Sequence, residues 1–267
     1  NNIIYVNDSY EAIQGLAKHY LENLNAKIIA ITGSNGKTTT KDIVTSILET
    51  KFKVHKTQGN FNNELGVPLT ILAAPEDSDI LVLEMGADNF GQLDFLSKLV
   101  KPDYTIITNI GESHIEFFGS RAGIAKAKFE ITNGMKKDGF FVYNGDEPLL
   151  KELVENSSIN ATSCGENSYN DIILENYTIT RNEIDFKLNI DENNFSTTLK
   201  GKHNLFNIMF AVAIAKKIGL ANEEIRYAID NISKITNMRL ESIPYAEDSL
   251  IINDAYNASP TSMKAAV

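Results

Sequence analysis

The sequence predicts an α/β fold: a mostly parallel sheet flanked by helices, with a small antiparallel subsheet. Three observations carry that reading. From residue 26 to about 154, short β-branched runs alternate with amphipathic helical stretches, the rhythm of βαβ units. The first run breaks into a glycine-bracketed loop of the P-loop type, GSNGKTT. Across 171–199 the hydrophobic period changes to two, as strands with one buried face require.

In chain order, strands are expected at 27–32, 80–85, 104–109 and 140–144, separated by helices at 37–49, 92–99 and 122–135. Tyr177 and Ile179, then Ile184, Phe186, Leu188 and Ile190, with polar turns at 181–182 and 191–194, predict the antiparallel meander. Helical periodicity returns at 205–218 and 223–232, with Gly219 as a stop. Beyond a boundary near 236–239, residues 250–254 read as a new strand, and Ser259-Pro260 opens a helix that the chain end cuts short. Three segments result: 1–25 as the remnant of a preceding domain and linker, 26–237 as the central domain, and 238–267 as the start of a further one.

With 267 residues, 43% of them hydrophobic, the chain can bury a sizeable core. Its 25 basic and 35 acidic side chains leave a net charge of -10, which argues against a sequence-independent nucleic-acid binder. A nucleotide site needs only local positive groups and stays open. A single cysteine, Cys164, excludes an intrachain disulfide and a Cys-based zinc site. No basic-then-apolar signal precedes the fold, and no apolar run approaches the roughly 18 residues a spanning helix needs. A cytoplasmic protein without membrane insertion is the expectation.

The loop is the most informative stretch. Gly33 and Gly36 let backbone N–H groups close around an anion, and the helix opening at Lys37 aims its positive end there. Lys37 adds a mobile cation for β- and γ-phosphates, and the Thr38 hydroxyl can ligate the accompanying Mg²⁺. Ser34, Asn35 and Thr39 complete the cradle. The strict spacing of the common phosphate loop is not met, because Ile31 stands where its first glycine would be. The competing reading is a glycine turn before an ordinary helix.

Other candidates lie on the same edge of the predicted sheet. Glu84, in LVLEMGA, is a strand-end carboxylate suited to Mg²⁺, or simply one exposed to water. His114, in TNIGESHIEFFGS, follows the next strand and could ligate a metal, polarise a carboxylate substrate, or be structural. Glu112 and Glu116 are weaker candidates of that type. Asn60, Asn62 and Asn63 cluster before Pro68, expected to start a helix; their amides suit substrate polar or phosphate groups, or form an Asn-rich turn. Lys128, in AKAKFEI, reads by itself as an ordinary solvated helix lysine.

The segments GSNGKTT, NFNNELGVPLT, LEMGA, NIGESHIEFFGS, AKAKFEI, GKHNLFN and NDAYNASPTSM occur in this order, and from about Ala26 onward the chain resembles the Mur ligases. These are ATP-dependent amide-forming enzymes of peptidoglycan precursor synthesis. The resemblance implies an acyl-phosphate route that joins UDP-N-acetylmuramoyl-tripeptide to D-alanyl-D-alanine in a monomeric enzyme. NFNNELGVPLT, the MGA turn and YNASP favour that substrate pair over those of the ligases acting earlier. By the same resemblance, Lys37 and Thr38 bind ATP phosphates and a first Mg²⁺ with Glu84, His114 serves a second Mg²⁺, and Lys128 becomes carbamylated. Asn204 and Asn207 fall at an adenine-contacting helix start, although Asn204 could simply cap that helix. Arg239 and Asp254 match residues that reach the nucleotide from the linker and the closing third domain. The family's UDP-sugar and amine-positioning domains are not whole here, so this fragment alone is expected to be inactive in ligation. Alternatives are another Mur-type or folylpolyglutamate-type ligase, or a P-loop regulatory ATPase.

Overall fold

The computed structural model describes residues 3–232, 235–245, 249–258 and 262–264. The chain opens with helix α1 (Ser9–Asn23), whose first turn is capped by Asp8 Oδ1 accepting from the Tyr10 and Glu11 amides at 2.7 and 3.0 Å. There follow β1 (Lys27–Thr32), α2 (Lys37–Leu48), β2 (Val54–Lys56), α3 (Gly66–Leu72), β3 (Ile80–Glu84), α4 (Gln92–Val100) and β4 (Tyr104–Ile107). A short turn of helix, α5 (Ile115–Phe118), leads to α6 (Arg121–Phe129), β5 (Phe140–Asn144), α7 (Pro148–Glu155) and β6 (Ala161–Gly165). Strands β7 (Ile172–Ile179), β8 (Ile184–Leu188) and β9 (Phe195–Thr197) precede α8 (His203–Ile218), α9 (Asn222–Asp230) and the hairpin β10 (Glu241–Tyr245) with β11 (Ser249–Asn253).

Strands β1 to β9 form one sheet in the order β2-β3-β1-β4-β5-β6-β7-β8-β9. Pairing is parallel from β2 through β7 and antiparallel from β7 to β9. The meander is therefore continuous with the parallel sheet, joined to it through β6 and β7. Strand β1 lies between β3 and β4, and the chain runs to one side after β1, toward β2, and to the other side after β4, toward β5. That reversal opens a crevice beyond the carboxyl ends of these strands, where sheets of this kind bind ligands.

Both sheet faces are covered, and the pleat divides the core in two. Ile29, Ile31, Val82, Ile106 and Val142 face a cluster built with α2, α8 and α9. Ile28, Ala30, Leu81, Leu83, Ile107 and Phe141 face the other, with Val67, Leu93 and Ile124 from α3, α4 and α6. Helix α8 is apolar nearly all round because α2, α9 and the sheet surround it; it stops at Gly219, as predicted. Cys164 is buried, and burial pushes its thiol pKa up. No helix among the described residues is long and apolar enough to cross a membrane.

Several expectations shift. Helix α3 starts at Gly66, ahead of Pro68, which occupies its first turn where no backbone donor is needed. The predicted helix at 122–135 ends at Phe129 and tightens into a 3₁₀ turn, Glu130–Thr132, before Gly134. Strands β2 and β6 and helix α7 were absent from the sequence reading: β2 is too short to show a period, and ATSCG in β6 has little apolar signal. The Ser259-Pro260 helix start lies outside the described residues.

Candidate active site

A cavity of about 970 Å³ opens at the carboxyl ends of β1, β3 and β4 and reaches α8 and the hairpin strand β11's end. It gathers the site residues named from the sequence except the weaker candidates Glu112 and Glu116, which are exposed outside it. The phosphate loop forms one wall and is held from behind by the loop after β4. Ser34 N donates to Asn109 O at 3.0 Å, Ser34 Oγ accepts from Gly111 N at 2.8 Å, and Asn35 N donates to Asn109 Oδ1 at 3.0 Å. Gly33 is in a left-handed conformation, and a Cβ there would collide with Thr108 Oγ1; at Gly36, φ is 80° and a Cβ would press on Asn207 Oδ1 at 2.9 Å. Both glycines are therefore required by conformation and by contact.

Lys37 is half-buried at the start of α2, and its Nζ donates to the Gly33 carbonyl at 2.9 Å. Burial lowers its pKa, and the Glu84 carboxylate opposes that shift. Thr38 and Thr39 are buried beside it, with Thr38 Oγ1 accepting from Arg239 Nη2 at 3.3 Å. Arg239 stacks 4.0 Å over the Tyr256 ring. Asp254 Oδ1 accepts from the Leu240 amide at 3.2 Å, fixing the turn that carries Arg239.

Glu84 is 3% exposed, which overturns the solvent-exposed reading. Its Oε1 accepts from Asn62 Nδ2 at 2.9 Å, while Oε2 is buried without a hydrogen-bond partner among the described residues. An orphaned carboxylate oxygen lining a cavity with a threonine hydroxyl and a lysine fits a hard cation brought in with phosphate oxygens. No group of three His, Cys, Asp or Glu side chains able to hold a metal by themselves occurs among the described residues.

The lining contributed by α6 and the turn before α5 differs. Lys128 is 2% exposed, so the solvated-lysine reading fails: α6 turns that side chain inward, Nζ donating to Ala87 O at 3.1 Å and lying 5.8 Å over the Phe118 ring. Burial first, and Lys37 second, lower its pKa to about 7. His114, at φ 60° in the turn before α5, is exposed on the cavity rim; burial and then Lys128 lower its pKa.

The asparagines separate. Asn62 holds Glu84, and Asn60 lies exposed at the mouth. Asn63 Oδ1 accepts from the Leu65 and Gly66 amides, closing the turn into α3, so its side-chain oxygen is committed to structure. Asn207 Oδ1 accepts from Thr40 Oγ1 at 3.1 Å and its Nδ2 donates to Asn204 Oδ1 at 2.9 Å. Asn204 donates back to Lys200 O at 2.7 Å instead of capping α8. Sequence reading missed Thr108, Thr40, Tyr256 and the Lys202–Glu166 ion pair at 2.8 Å, all set by tertiary contact with no local pattern to betray them.

A lysine-bearing glycine loop between a central parallel strand and its helix, beneath a strand-end carboxylate, defines a P-loop phosphate-binding α/β domain. The family model for the Mur ligase middle domain matches residues 31–215. The chain belongs to the Mur ligase family. It is 48% identical, over 99% of its length, to the UDP-N-acetylmuramoyl-tripeptide--D-alanyl-D-alanine ligase of Bacillus subtilis, and 32% identical to the Escherichia coli ligase of the same name. It spans 57% and 59% of the lengths of these relatives. Among solved structures, MurF from Acinetobacter baumannii superposes with a TM-score of 0.91 at 34% identity over 98% of this chain and 58% of that one. MurF from Thermotoga maritima in complex with ADP gives 0.89 at 30% identity, over 99% of this chain and 61% of that one. A folylpolyglutamate synthase mutant from L. casei, at 15% identity and a TM-score of 0.71, shares the fold alone.

Proposed function

We propose that this chain is the ATP-binding part of a ligase that joins D-alanyl-D-alanine to UDP-N-acetylmuramoyl-tripeptide. The single observation that carries the reading is one cavity holding Lys37, the unpartnered Glu84 oxygen and buried Lys128 together. Residues 26–237 act as the central nucleotide-binding domain, with 1–25 and 238–267 belonging to the flanking domains.

The substrate carboxylate attacks the γ-phosphorus of ATP, releasing ADP and leaving an acyl phosphate; the amine then displaces phosphate to form the amide. Phosphoryl transfer asks mainly for position and charge neutralisation. The Ser34 and Asn35 amides are committed to Asn109, so the Gly36 amide, the first-turn amides of α2 and Lys37 hold the phosphates, and Arg239 adds a second positive group. Thr38 and Glu84 would hold one Mg²⁺, with His114 serving a second; the metal supplies Lewis-acid neutralisation of phosphate charge. Asn60 and Asn62 face the acyl substrate, and Asn204 and Asn207 the adenine.

Lys128 fits a separate role. An amine titrating near pH 7 is substantially neutral at physiological pH, and a neutral amine can take up CO₂ as a carbamate with loss of a proton. The change puts an oxygen anion suited to Mg²⁺ where a buried amine stood.

The test is phosphate release by the full-length protein, supplied with ATP, the muramoyl tripeptide and the dipeptide. Release that requires both acceptors supports the ligase. Hydrolysis indifferent to them identifies a regulatory ATPase, and dependence on a different amine identifies another ligase of this family. Use of UDP-linked precursors and ATP accords with a cytoplasmic enzyme.

A further inference from the structure

Away from the phosphates, helix α2 carries a buried charged cluster that the mechanism above does not use. Asp42 is 1% exposed and one turn beyond Thr38, on the same helix face. Its Oδ1 accepts from Lys56 Nζ at 2.7 Å and lies 3.5 Å from Lys41 Nζ. Its Oδ2 accepts twice from a single residue of the linker, Thr236, through the backbone amide at 2.9 Å and the hydroxyl at 2.6 Å. Lys41, itself 2% exposed, donates to the Thr57 carbonyl at 3.0 Å, and the Thr57 hydroxyl accepts from the Glu84 amide at 3.0 Å. A continuous chain of polar contacts therefore runs from the linker through α2 to the strand end that bears Glu84.

A buried carboxylate is costly unless both oxygens are engaged, and here each one is. The linker is held by its backbone as well as its side chain, so the chain path is restrained and not only one rotamer. Three residues onward stands Arg239, whose guanidinium reaches Thr38. Three residues span at most about 10 Å, so a linker pinned at Thr236 keeps Arg239 within reach of the phosphate loop. Arg239 Nε is buried without a partner among the described residues, as for a group awaiting an anion.

We propose that Asp42 is a positioning residue: by latching Thr236 to the phosphate-loop helix it delivers Arg239 to the bound nucleotide. Asp42 touches no substrate; it acts through Arg239. The inference rests on the nucleotide site proposed above but not on which amide the enzyme forms.

The experiment is a double-mutant cycle on the full-length protein, reading Mg·ADP affinity by calorimetry and kcat/KM for ATP. Thr236→Val removes the hydroxyl donor and keeps the amide; it is expected to lower both about fivefold, the effect of one hydrogen bond. Asp42→Asn removes the charge and leaves one acceptor oxygen for which Lys56 and the Thr236 donors must compete, and it is expected to cost about thirtyfold. In an Arg239→Ala background, neither substitution should weaken binding further, because the group they position is gone. Undiminished losses in that background would make Asp42 a purely structural residue and overturn the proposal, as would a Thr236→Val enzyme indistinguishable from wild type. Should Asp42→Asn fail to fold, Thr236→Val carries the cycle alone. Should the wild-type protein bind no nucleotide, the function proposed above fails separately. The latch is then read by amide hydrogen exchange at residue 236, slow in wild type and faster in Asp42→Asn; equal rates would refute it.

Discussion

The two walls of the cavity are built differently. On the phosphate-loop wall, the main chain is bonded from behind: Ser34 and Asn35 amides to Asn109, Ser34 Oγ to the Gly111 amide, and Thr108 Oγ1 to the Asn35 carbonyl at 2.5 Å. On the other part of the lining, Lys128 is buried on α6 while His114 sits exposed in a left-handed turn, its ring centroid 6.4 Å from that of Phe117. The first wall is organised by the fold before anything binds. The second presents a pKa-shifted amine and a rim histidine whose working geometry depends on the occupant. Phosphate binding should therefore withstand damage to the second wall better than turnover does.

The largest effect should come from Lys37→Ala, which removes the cation of the organised wall. Turnover is expected to fall about a thousandfold, the scale of losing a charged donor to transition-state charge. Thermal unfolding should move little, because the contacts of Lys37 Nζ are to loop carbonyls. Unchanged turnover and ATP affinity would remove the phosphate-loop assignment.

Lys128→Ala tests the other wall, with an expected loss of about a hundredfold in turnover and much less in ADP affinity. Acetate should restore part of the rate, and stripping CO₂ and bicarbonate should slow the wild-type enzyme. An enzyme indifferent to CO₂ would reduce Lys128 to a buried helix residue that packs.

Glu84→Gln removes an anion at nearly constant volume. Mg²⁺-dependent turnover should drop on the order of a hundredfold, with nucleotide binding in the absence of Mg²⁺ preserved. Equal loss of both would mark Glu84 as a support for Asn62 only.

The burial of Lys128 also has a pH signature in ligand-free, CO₂-free protein. Its pKa is lowered from 10.5 to about 7. Between those values the unfolded chain binds the proton and the native chain does not, so stability rises with pH across that window. Relative to Lys128→Met, wild-type stability should rise on the order of 2 kcal/mol from about pH 7 to about pH 9 in denaturant titrations. A flat difference would mean that the amine stays charged when buried.

The smallest effect is expected at the rim. His114→Ala should slow turnover about tenfold and leave ADP affinity within about twofold, since the phosphate wall does not rely on it. A loss of nucleotide binding there would erase the contrast between the walls.

The amino-acid sequence by itself determined the parts that are local. Ile28 to Ile31 can only be a core strand, the glycines and Lys37 form the turn that opens α2, and the period-two run from 171 becomes a meander, because backbone sterics and side-chain periodicity act over a few residues. The order of Glu84 and His114 after successive strands was also legible, since parallel strands bring their carboxyl ends to one edge. Only the tertiary structure decided the rest. Lys128 looks like a solvated helix residue until α6 turns it inward, as α2 does Asp42, and the helix period says nothing about what stands opposite. Asn62 and Asn63 are neighbours of one type, yet one holds Glu84 and the other closes a turn, because adjacent side chains leave a loop in different directions. Desolvation, which shifts the Lys128 amine, and the orphaned oxygen of Glu84 are properties of enclosure, and enclosure exists only when distant segments have met.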